Sequence, residues 1–86
     1  MDINQLLDIV KKKIETNINL EKIVVEDKTF LHKKHENHQK GKYHLKIFVQ
    51  SKDLANNNKL DNFKLIHKIL EKEIKHNIHS LQLKIN

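Results

Sequence analysis

The apolar residues of this chain change period along its length, and that change restricts what the chain can fold into. Ile3, Leu6, Leu7, Val10 and Ile14 recur at helical spacing, one stripe of an amphipathic helix. Leu45, Ile47 and Val49 alternate with His44, Lys46, Phe48 and Gln50, the pattern of a strand buried on one face. Helical spacing returns with Leu60, Phe63, Ile66, Leu70 and Ile74, widened by Leu65 and Ile69, and alternation returns over residues 78–85. A chain that switches between these two periods lays helices on one face of a sheet.

The boundaries follow from the polar residues. Asp2 is placed to cap a helix over residues 3–16, with Lys11, Lys12 and Lys13 toward its C-terminal end and Asn17 and Asn19 closing it. Residues 20–26 read as a short strand, residues 27–42 as a long polar loop and residues 44–51 as the second strand. Residues 52–58 form a turn ending in three asparagines, a good helix entry. A second helix spans residues 59–75, with Glu71 and Lys75 at i, i+4, and His76 and Asn77 end it. In the last strand His79 shares the apolar phase with Leu81, Leu83 and Ile85. The order is α-β-β-α-β, an α+β two-layer sandwich with two helices on one face of a three-stranded sheet. One domain, residues 1–86, accounts for the whole length.

Composition excludes several kinds of chemistry. With no Cys there is no disulfide, no thiol nucleophile and no iron–sulfur site the chain could hold alone. One Gly and no Pro leave no glycine-rich phosphate loop. Neither Ser51 nor Ser80 sits in a nucleophile elbow, and Glu26 and Asp27, adjacent on a strand, point to opposite faces. The expectation is a protein without catalytic activity or small-molecule substrate. No apolar run approaches a membrane span and no secretory leader is seen, so a cytoplasmic location is expected.

Histidine is the anomaly, with seven in 86 residues. His32, His35 and His38 are spaced by three in the long loop, and His79 opens the last strand. Imidazole suits zinc, copper, nickel and iron, but loop histidines are more often simply exposed, and an edge histidine is as often only hydrogen-bonded. The chain is also basic: 17 cationic residues, all Lys, against 11 acidic ones give a formal charge of +6. That favours acidic partners or phosphate backbones. Lys59, Lys64, Lys68, Lys72 and Lys75 line the second helix and could meet phosphates; a solvated helix face is the ordinary alternative. Stacking groups for single strands are few, with Phe30, Tyr43, Phe48 and Phe63 the only aromatics and Phe63 expected in the core.

Three segments taken together resemble the BolA family. They are Glu26-Asp27 with Thr29-Phe30-Leu31-His32, the run from Tyr43 to Ser51, and Asn77-Ile78-His79-Ser80-Leu81. The resemblance extends over roughly residues 3–85, in order and spacing. It implies a fold like the class II KH domain. It also implies a monothiol glutaredoxin as partner, with which a [2Fe–2S] cluster is shared. By position, His79 would be one cluster ligand and His32 or His35 the other, His32 being favoured. Glutaredoxin and glutathione would bring the thiolates, and the isolated chain would hold no cofactor. The implied role is a non-catalytic adaptor in iron–sulfur cluster handling or iron regulation.

The chain departs from that family in places. Leu54-Ala55-Asn56 replaces the usual Phe-x-Gly, and His67 stands where an aromatic is usual. Asn62-Phe63-Lys64 stands where the family has Arg-His-Arg in the helix tied to DNA binding, and the KH GxxG loop is lacking. The alternative function is a DNA-binding transcriptional regulator that meets duplex DNA through Lys64, Lys68 and Lys72 of the second helix.

Overall fold

A computed structural model describes residues 2–29 and 42–86. The elements run α1 (Ile3–Asn17), β1 (Lys22–Asp27), β2 (Tyr43–Gln50), α2 (Lys52–Ala55), α3 (Lys59–Ile69), α4 (Glu71–His76) and β3 (Ile78–Ile85). The expected α+β sandwich is what forms, with two differences. The turn after β2 contains a short helix, and the single helix expected over residues 59–75 is two, broken at Leu70.

Helix α1 starts where the sequence places it. Asp2 accepts from Gln5 N at 2.8 Å while Gln5 Oε1 accepts from Asp2 N at 3.2 Å, a capping box. At the other end Thr16 and Asn17 donate their side chains back to the carbonyls of Lys12 and Lys13, four residues earlier in the helix. Because the helix runs to Asn17, its last turn holds no cation, and Lys11, Lys12 and Lys13 lie earlier than expected. Leu6, Val10 and Ile14 form its buried stripe.

The sheet order is β1-β2-β3. β1 pairs with β2 antiparallel, Val24 opposite Phe48, and β2 pairs with β3 parallel, Phe48 opposite Lys84. Leu45, Ile47 and Val49 of β2 are buried against Leu6, Val10, Ile14, Ile66 and Leu70. Ile23 and Val25 of β1 and Leu81, Leu83 and Ile85 of β3 pack on the same core. The helices therefore share one sheet face, and the even-numbered positions of β1, of β2 and of β3 from Ser80 onward stand on the other.

The expected stripe of the second helix is corrected. Ile66 and Leu70 are buried as expected and Ile74 packs against the core, but Leu60 is 63% exposed and Phe63 38% exposed, and Asn62 and Glu73 are buried in their place. Two polar contacts set this phase. Asn62 Nδ2 donates to Leu54 O at 2.8 Å, joining α3 to the end of α2. Lys13 Nζ of α1 lies 2.7 and 2.8 Å from the carboxylate oxygens of Glu73 in α4. Ser51 makes the turn before α2: its hydroxyl donates to Asn19 O at 2.8 Å and accepts from Leu54 N. Asn58 then caps α3, accepting from Asp61 N at 2.8 Å.

The Glu73 carboxylate is only 6% exposed, so removing its partner leaves a desolvated charge. Lys13→Met is expected to lower stability by about 1–3 kcal/mol. Adding Glu73→Gln to Lys13→Met should recover part of that loss, because the uncompensated charge is gone. Urea unfolding of the two variants checks both outcomes.

Candidate functional site

The junction between β1, β2 and β3 gathers the polar residues of interest. Asp27 ends β1 and Oδ1 accepts from both the backbone N–H and the hydroxyl of Thr29. The Thr29 hydroxyl oxygen in turn accepts from His44 N at 3.1 Å, and Lys28 N donates to His44 O at 2.7 Å. Thr29 and His44 are both buried. This ties the chain leaving β1 to the start of β2 before residue 30 is reached.

β3 enters the same corner. Tyr43 pairs with Ile78 and His44 with Ser80, so one residue of β3 is passed over and a bulge sits at Tyr43/His44. The residue opposite the bulge is His79. Ile78 is buried and His79 exposed, whereas alternation holds from Leu81 onward. The expectation that His79 shares the apolar phase of Leu81 and Leu83 is thus corrected, and the bulge is the reason. The His79 ring lies 4.9 Å from that of His44, centroid to centroid, tilted by 59°. His44 Nδ1 and Ser80 Oγ share a hydrogen bond of 2.5 Å.

The arrangement is a held imidazole beside an exposed one. His44 is fixed by its backbone bonds to the Lys28–Thr29 turn and by its ring bond to Ser80. His79, against that ring, presents its imidazole to solvent. Two imidazoles do not close a metal site, and among the described residues no group of three or more His, Cys, Asp or Glu converges. Of the two, the exposed His79 imidazole is the one that could serve as a ligand, for a group completed by donors from elsewhere. His32, His35 and His38 lie outside the described residues, but the chain that carries them departs at Thr29 and returns at Lys42, beside this corner.

The remaining candidates are elsewhere. Lys64 and Lys68 lie on α3 and Lys72 on α4, all exposed, on two helices rather than the one expected. Lys28 lies 2.9 Å from Glu26, and its hydrogen bond and charge hold that exposed carboxyl below its ordinary range. Glu26 faces solvent while Asp27 is taken up by Thr29, so the two do not work as a pair. Sequence reasoning missed His44 as part of the site. Its signal was present, since His44 and His79 both stand at strand starts, but only the parallel register brings them together.

No helix among the described residues is long and apolar enough to cross a membrane. Thr29→Val removes an acceptor for the buried His44 N–H and a donor to Asp27; it is expected to cost about 1–2 kcal/mol in chemical unfolding. Thr29→Ser, which keeps the hydroxyl, should lose less than half of that.

The fold is shared with solved BolA domains. The BolA domain of SufE1 from Arabidopsis thaliana superposes with a TM-score of 0.82 at 19% identity, covering 99% of this chain and 94% of that one. BolA1 from Arabidopsis thaliana gives 0.76 at 19% identity over 92% of this chain and 87% of that one. BolA1 from Mus musculus gives 0.74 at 18% identity over 92% and 62%. No curated protein matches this chain in sequence. The family model for BolA-like proteins matches residues 14–86, and the chain belongs to the BolA-like family.

Proposed function

We propose that this chain is a non-catalytic adaptor that binds a monothiol glutaredoxin and shares a [2Fe–2S] cluster with it, in iron–sulfur cluster handling or iron regulation. The observation that supports this best is the exposed His79 imidazole, set against the anchored His44 ring at the corner where residues 30–41 depart and return. His79 would supply one ligand, and His32 or His35 the other, His32 being favoured.

The donor chemistry is consistent with sharing. The chain has no thiolate of its own, so the cysteine-type ligands of a cluster must come from the partner and glutathione. Imidazole in place of thiolate makes the cluster less negative and raises its reduction potential, which is the chemistry such a cluster would supply. The protein residues act on the ligand and not on the cluster. Ser80 holds His44 by its ring nitrogen, Thr29 holds His44 by its backbone, and His44 limits the orientations open to the His79 ring.

Anaerobic reconstitution with a monothiol glutaredoxin and glutathione, followed by visible circular dichroism and sizing, tests the reading. Wild type should give a heterodimer with a spectrum distinct from that of the glutaredoxin alone, and His79→Ala should lose or alter it. A spectrum identical to that of the glutaredoxin homodimer, with no complex on sizing, would contradict the proposal.

A further inference from the structure

The helices cover one face of the sheet, and the other face carries its own pattern. Val24, Phe48 and Lys84 form one row across β1, β2 and β3; Glu26, Lys46 and Gln82 form the next. Lys22 lies opposite Gln50 on the other side of the first row. Adjacent strands are about 4.8 Å apart and alternate residues on one strand about 7 Å apart, so Phe48 has Val24 on one flank, Lys84 on the other and Lys46 next along its strand. Val24 is 36% exposed, Phe48 is half-buried, and Lys22 and Lys84 are exposed. The one acid of the face, Glu26, lies 2.9 Å from Lys28 and directly across the strands from Lys46, so these two lysines offset its charge. Among the described residues Lys22 and Lys84 make no ion pair.

We propose that this sheet face, with Phe48 as its stacking surface and Lys22 and Lys84 as its phosphate contacts, binds single-stranded nucleic acid. The occupant follows from the charge and from the ring. A protein interface has several apolar anchors at its centre and few lysines there. Apart from the buried His44 imidazole at its end, this face has one ring and one valine within a frame of cations. Cations around a single aromatic on a sheet suit an unpaired base with phosphates on either side. In a duplex the base faces are stacked on one another and cannot meet the ring, so the face selects single strands. Lys68 of α3 and Lys72 of α4, by contrast, lie on the helix layer.

Fluorescence anisotropy with labelled oligothymidylate and oligouridylate of about twelve nucleotides, and with the matching duplex, tests this at low salt. Both single strands should bind more tightly than the duplex. Phe48→Leu keeps the apolar contact with Val24 but removes the ring, and should weaken binding about five-fold or more. Lys22→Ala with Lys84→Ala should weaken it as well and reduce the slope of log affinity against log salt by about 1.4. Lys68→Ala with Lys72→Ala should leave both unchanged. No saturable binding to either single strand, equal or tighter binding of the duplex, an unaffected Phe48→Leu variant, or a loss confined to the helix variant would each overturn the proposal. Thermal unfolding by circular dichroism establishes that the variants compared are folded.

Discussion

The rest of the structure depends on strand β2. It is hydrogen-bonded on both edges, antiparallel to β1 and parallel to β3, and its Leu45, Ile47 and Val49 are almost wholly buried. Because side chains alternate along a strand, fixing these three toward the helices places Lys46 and Phe48 on the opposite face. The same strand carries His44 at its start, where Thr29, Lys28 and Ser80 all bond to it. A slip of one residue in this register would bury Lys46 and separate His44 from Ser80.

The polar contacts of the helix layer, one buried and one part-buried, act in the same sense. Lys13 with Glu73 joins α1 to α4, and Asn62 with Leu54 O joins α3 to α2. Neither contact is needed to bury apolar area, and a buried ion pair is weak evidence for stability. Their effect is on which way the second helical segment turns. They put Asn62 and Glu73 inward and leave Leu60 and Phe63 at the surface.

Much of this was legible in the sequence, for physical reasons. The strand alternation of residues 44–51, the first helix and its Asp2 cap, and the sequence order of the strands follow from period and local chemistry, which adjacent residues determine. The phase of residues 59–75 was not legible, because it depends on Glu73 meeting Lys13 sixty residues away. The break at Leu70 was hidden by a hydrophobic pattern that continues across it. His79 was recognised as notable from its neighbours in sequence. Its exposure, and the role of His44 beside it, required the bulge at Tyr43/His44, which nothing in the local pattern signals.

The proposed shared cluster requires that an imidazole of this chain bond to it directly. Pulsed electron paramagnetic resonance of the reduced complex, with this chain alone labelled with 15N-histidine, tests it most directly. Direct ligation should give strong 15N hyperfine coupling that diminishes in His79→Ala. A reduced cluster in the complex with no 15N coupling from this chain, its ligands all thiolate, would contradict it.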